Sequence, residues 1–254
     1  MNNFPTPVRS ILAGLFFLFF FVQLHAQFEV YGIELEEIKE AAEGNPELKE
    51  TFANLVLHPD STIEIEEAVF IYYSSAYMDG YAPYGEQMVS KVVSHFFEND
   101  SLEAAVSACE SLIRDNPAHT RPYLYAGIAY DKMGDTAMAA FFFKRYATML
   151  SVPFYSGNGS SADSAFVVRS VDDEYLIMGE LGYEVSSQAL VFEDGIPFDI
   201  LTGEKEGESA DFYFNIHQPY GLGLAALFGD DNKKGKKKKK AKKKKKKKQK
   251  ADQE

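Results

Sequence analysis

Two stretches of the chain, 86–119 and 120–153, repeat one another at a spacing of 34 residues, and this restricts the fold more than any other feature. Ala105 and Ala139 lie one repeat apart, Asp100 and Asp135 open the helices that carry them, and Leu112 and Tyr146 take matching large-residue positions. Pro117 closes the first unit; in the second, Ser151 holds the matching place and Pro153 follows two residues later. The second unit adds Tyr123, Gly127, Tyr130, a Gly134-Asp135 turn and Phe143. Small residues at Gly127 and Ala139 let paired helices approach closely while large ones fill the space between them. The first unit is degenerate, with Val93 at the place of Gly127. Units of this length cannot bury their apolar faces alone, and two are fewer than the roughly three that make a free-standing stack. They must pack on the flanking segments.

The spacing resembles the tetratricopeptide helix-turn-helix. Before it, helices are expected over Ile33 to Glu43, from Pro46 to about His58, and from Glu64, the last with Ala68, Ile71, Tyr72 and Ser75 on one face. Asp79-Gly80 and Pro83 end that helix. After Pro153 the pattern turns to strands: Ala165 to Val171, Gln188 to Phe192, Pro197 to Leu201 and Asp211 to Ile216, with Asp194-Gly195 as a tight turn. A short helix is expected over Glu174 to Leu181, a polar loop over Gly203 to Ser209 and a closing helix over Pro219 to Phe228. Helices first and strands later predict an α+β fold: N-terminal helices and two tetratricopeptide-like helix pairs (27–153) packed with a small antiparallel sheet (154–229).

Charge is divided between two unlike objects. Of 26 basic residues, 15 fall between Lys233 and Lys250. The first 232 residues hold 11 basic against 36 acidic ones, a balance of −25, and the last 22 carry +13. An acidic body disfavours nucleic acid and anionic membranes as its own partners, and no sequence-specific nucleic-acid binding is expected. The lysine block repels itself and is expected to be disordered over 230–254. It reads as a tolerated extension, a solvated tail, or an electrostatic tether in which Lys236, Lys240, Lys242 and Lys248 meet anionic lipid or another polyanion. At the other end, Arg9, an apolar run from Ile11 to Val22 and the small Ala26 match a secretory signal peptide over residues 1–26. The protein is therefore expected to be exported, periplasmic or secreted. One cysteine excludes a disulfide framework, and Cys109, on a repeat helix, is expected in the core.

Little in the sequence points to catalysis. His58, His95, His119 and His217 are isolated, without metal-ligand spacing, and no hydrolase elbow or phosphate loop occurs. No cofactor is expected. The Ser156–Ser161 loop, rich in Gly and Ser, offers backbone N–H groups to a nucleotide or glycan, but a link between the helices and the sheet is the simpler reading. Asp172-Asp173-Glu174 offers calcium ligands or paired acids, whereas acidic residues also suit a helix N-terminus. The tyrosines Tyr73, Tyr77, Tyr81 and Tyr84, with Tyr123 and Tyr130 in the repeat, are candidates to bind a protein or glycan, against the alternative that they pack in the core.

The run Tyr73, Tyr77, Tyr81, Pro83-Tyr84-Gly85, the repeat pair, the segment Ser156 to Gly182 and the strand Asp211 to Ile216 together resemble the exported bacterial family named domain of unknown function 4919. The resemblance covers about residues 30–228 and implies export from Bacteroidota-type bacteria and an α+β layout, with no activity attached. The expected function is a non-catalytic interaction module binding a protein or glycan. The alternatives are an envelope-polymer hydrolase using Asp172, Asp173 or Glu174, and the lysine tether.

Overall fold

The computed structural model describes residues 29–30, 33–43, 45–84 and 87–223. The signal-like start, Gly85 and the lysine-rich end with Lys236, Lys240, Lys242 and Lys248 lie outside the described residues. No helix among the described residues is long and apolar enough to cross a membrane.

The chain begins with two short antiparallel strands, β1 (Glu29–Val30) and β2 (Ile33–Glu34), then α1 (Leu35–Glu43), α2 (Leu48–Leu57) and α3 (Ile65–Ser74). Helix α3 departs from the one-faced pattern expected of it. Every residue from Glu67 to Ser74 is buried. Such a helix is surrounded by protein on all sides. It lies against α1 and against the long helix of the second repeat, which explains its unbroken run Ala68-Val69-Phe70-Ile71-Tyr72-Tyr73.

The repeat folds as two successive helical hairpins, α4 (Gln87–Glu98) with α5 (Leu102–Asp115), and α6 (Thr120–Met133) with α7 (Thr136–Ser151). A Cβ added to Gly127 would lie 2.7 Å from the ring of Phe143. Glycine there is what lets α6 and α7 close on each other. Asp135 caps α7, its side chain accepting from the Met138 N–H at 3.1 Å. Asp100 does not play this part for α5. It takes a left-handed φ of 52° in the turn, and Ser101 is the residue before the helix. Cys109, Ala105 and Val93 are all completely buried. Burial pushes the Cys109 thiol up to about 12, so it is protonated at neutral pH and inert as a nucleophile.

The second half is a four-stranded sheet with one helix, α8 (Val171–Glu180), on its inner face. Strands β4 (Glu184–Glu193), β5 (Ile196–Lys205) and β6 (Glu208–Asn215) form an antiparallel meander. The expected strand at Ala165 to Val171 shrinks to β3 (Phe166–Val167), which pairs parallel with β6 and makes the sheet mixed at that edge. The predicted loop at Gly203 to Ser209 tightens to a turn at Glu206-Gly207, with both flanking strands extended through it. Asp194 (φ 49°) and Gly195 (φ 83°) form the expected hairpin turn. Helical residues 217–223 end the described chain. Three apolar clusters result: one among the helices, one between α7, α8 and the sheet, and a small one around Phe198 on the sheet's other face.

Candidate functional site

The tyrosine run and the acidic trio meet each other, mostly inside the protein. The hydroxyl of Tyr72 donates to Asp173 Oδ2 at 2.7 Å, that of Tyr73 to the Val167 carbonyl at 2.8 Å, and that of Tyr81 to the Arg169 carbonyl. Tyr77 accepts from Gln218 Nε2 at 3.1 Å. Tyr72, Tyr73 and Tyr81 thus fasten α3 and the turn after it to residues 167–173, and Tyr77 meets the helical residues after β6. Tyr73 is fully buried, and so is Tyr123, whose hydroxyl donates to the Pro117 carbonyl at 2.6 Å. Neither has surface to offer a partner: their rings are core and their hydroxyls are occupied. Tyr130 is half-buried and stacked on Phe142. Tyr77 and Tyr81 are half-buried, and Tyr84, at 45% exposure, keeps an open ring.

The three acids have separate environments. Ser170 caps α8 by accepting the Asp172 N–H, so the cap is a serine and the acids follow it in the first turn. Asp172 takes a two-pronged contact from Arg121, both bonds 2.7 Å. Asp173 accepts from Tyr72 and from the Thr120 hydroxyl, with the buried Arg169 guanidinium 3.8 Å away. Arg169 also donates to the Ala118 carbonyl and lies over the Tyr72 ring. These two acids hold α6, α3 and α8 together. Among the described residues no group of three or more potential ligands is placed to hold a metal ion. The calcium reading of the trio is disfavoured because arginines face two of its three carboxylates.

Glu174 differs. It is completely buried, and no N–H or O–H among the described residues is placed to donate to either of its oxygens. The carboxyl of Asp199, from β5, stands within hydrogen-bonding reach of it. Two carboxylates cannot share such a space, so one proton lies between them. Burial, then the charge of Asp199, then that of Asp173 raise Glu174 well above its ordinary range. Burial raises Asp199 too, less so because Gln188 Nε2 donates to its Oδ2 at 2.7 Å. Gln188 accepts in turn from the Tyr175 hydroxyl at 2.6 Å. Tyr84 and Tyr175 both feel the charge of Glu174 and Asp199. The sequence offered one sign of this pair, the acid Glu174. Asp199 sits in a strand and had no sequence signal.

The glycine loop 156–161 is closed to ligands. The N–H groups of Asn158 and Gly159 both donate to the Ser164 carbonyl, and Gly159 accepts from the Tyr213 N–H. A Cβ on Gly157 would come within 2.2 Å of that same carbonyl oxygen. The loop is a packed link on Phe166, and the N–H groups of Asn158, Gly159 and Ser160 are already used.

Beside the acid pair runs β4, the free edge of the sheet. Gln188, Leu190 and Phe192 share one face with Asp199 and Leu201, by strand register. Leu190 is 50% and Phe192 53% exposed, with Phe192 edge-on to Tyr220. A bulge between Val185 and Ser187 leaves 187–193 as the regular stretch.

No curated protein and no solved structure matches this chain. A family model described as Domain of unknown function (DUF4919) matches residues 44–221, which takes in α2 through β6 and most of the helical residues after it. The tyrosine run, the acidic trio, Asp199 and the β4 edge all fall within that match, and the chain belongs to this family.

Proposed function

We propose that the protein is an exported docking module, without chemistry of its own, that takes an extended segment of a partner protein along the free edge of β4. The observation that carries this is the edge itself. Over 187–193 the strand has one side without a pairing strand among the described residues, and Leu190 and Phe192 stand half-exposed on it. Unpaired backbone groups with alternating apolar side chains are what strand addition uses, the backbone giving affinity and the side chains specificity. The balance of −25 over the first 232 residues favours a basic partner segment. The tetratricopeptide-like hairpins act in this reading as a brace for α3 and the sheet. Hydrolysis through Asp172 or Asp173 is disfavoured because both are tied to arginines.

A photocrosslinking residue at position 190 in the native envelope tests this. The expected result is a protein adduct, slowed amide exchange across 187–193 in the complex, and at least tenfold less adduct with Phe192→Asp. An adduct to glycan alone, or protein capture with unchanged exchange along β4, overturns it.

The charge division supports a separate role for the lysine-rich end as an electrostatic tether to anionic surfaces. Vesicles with and without anionic lipid, at two salt concentrations, measure it. Equal binding by the chain with its lysines from 233 to 250 changed to glutamine would sink the idea.

A further inference from the structure

We propose that the Glu174–Asp199 pair is a receptor for a positively charged group, an alkylammonium or a guanidinium, brought by a bound ligand. This goes beyond strand addition at β4 and does not depend on it.

The argument starts from the inventory of donors and acceptors. Around the pair the protein supplies acceptors in excess. Glu174 brings two oxygens that receive nothing from any N–H or O–H among the described residues. Asp199 brings two more, of which Oδ2 accepts from Gln188. The Gln188 carbonyl is already used by Tyr175. A ligand that completes this set must donate and need not accept. Ammonium and guanidinium are the groups of proteins and small metabolites that do only that. A sugar hydroxyl brings an acceptor with every donor and satisfies the set less well.

The walls agree. Tyr84 and Tyr175 are near enough to feel both carboxyls, Tyr220 interacts with Tyr84, and Phe192 packs on Tyr220. Aromatic rings beside paired carboxylates suit an alkylated cation, whose stem lies on the rings while its head meets the acids. The position agrees as well. Glu174 belongs to the first turn of α8, and Asp199, 6% exposed, pairs in register with Leu190, which like Phe192 is half-exposed. The arginines nearest in sequence are spoken for, Arg121 by Asp172 and Arg169 by Asp173. Among the described residues none of the protein's own cations is paired with these carboxyls, so a proton takes the place a cation would fill.

A proton held in that place links binding to pH. An arriving cation makes the ionised pair tolerable and expels the proton. Affinity should rise with pH, up to about tenfold per unit, from the ordinary glutamate value of 4.5 to the raised value in the fold, and level off above it. The other titratable groups facing the pair do not confuse this window. Asp173 faces the Arg169 guanidinium at 3.8 Å, and burial raises the hydroxyls of Tyr84 and Tyr175 further above neutrality.

The test uses full-length mature protein and pentalysine as the probe, with acetylated pentalysine as the uncharged control. Calorimetry in buffers of different ionisation heat counts protons released, and carboxyl carbon resonances identify the residue that loses one. The expected result is proton release on probe binding, up to one proton per probe and coming from the Glu174–Asp199 pair, over the pH range in which the free pair still holds it. Glu174→Gln and Asp199→Asn should each abolish the release, while retaining whatever diffuse attraction the acidic body exerts. Glu103→Gln on α5 should leave the release intact. Binding without proton release, equal release by Glu174→Gln, or equal binding of the acetylated probe overturns the proposal. The source of the cation is read from a second arm, in which all lysines from 233 to 250 are changed to glutamine. Release by both proteins is expected of a cation brought by a ligand; release by the glutamine variant alone would mean that the chain's own lysines fill the site and would overturn the proposal.

Discussion

Replacing Asp173 by asparagine should destabilise the protein by about 3–5 kcal/mol, because it leaves the charge of Arg169 buried without its counterion. Arg169 is completely buried and Asp173 nearly so. The carboxylate joins four parts of the chain: α8 itself, the Arg169 segment before it, Tyr72 of α3 and Thr120 of α6. Urea denaturation at pH 7 measures the loss as a lower midpoint. Lys39→Ala provides the contrast, since its pairing with Glu36 is at the surface and should leave the midpoint unchanged. A loss for Asp173→Asn as small as that of Lys39→Ala would mean that the buried network does not hold the helical and sheet halves together. Tyr72→Phe removes one donor to the same carboxylate and should fall between the two.

Gly159→Ala should cost about 2–4 kcal/mol, from two sources that add. Gly159 has a φ of +73°, where a side chain is strained, and its Cβ would stand 2.5 Å from the ring of Phe166. That ring cannot swing away, because it is buried between Phe154 and Phe214. Gly195→Ala separates the sources. Its φ is +83° but its Cβ would meet open space, so it should show the backbone strain alone, about 1–2 kcal/mol. Equal losses at the two positions would show that the loop around Gly159 yields, and the description of it as a packed link would fall. A ligand cradle would instead tolerate the substitution in stability and fail only in binding.

Both predictions concern contacts between residues far apart in the chain. Tyr72 and Asp173 are 101 residues apart, and Arg145, buried on α7, donates to the carbonyls of Val56 and Ser61 more than 80 residues earlier. Arg145 carried no sequence signal. An arginine on an amphipathic repeat helix reads as surface, and only the end of α2 arriving against it turns it into a core residue. The tyrosines show the same limit. Their spacing was legible, and packing was the alternative weighed against binding, but the ring left open, Tyr84, could not be told from Tyr73 by period.

Features set by neighbours in the chain were readable from sequence alone. The 34-residue spacing placed the two hairpins, and Gly127 marked the close approach of α6 and α7. Asp194-Gly195 marked its turn, and apolar alternation marked β6. Each depends on interactions within a few residues, where period and turn chemistry act directly. Tertiary structure alone decided that α3 is buried on every side, that Asp172 and Asp173 belong to arginines, and that Glu174 meets Asp199 rather than a cation. These depend on which distant surfaces meet. Burial then sets the electrostatics, since a carboxyl is an ordinary acid in water and holds a proton when enclosed beside another.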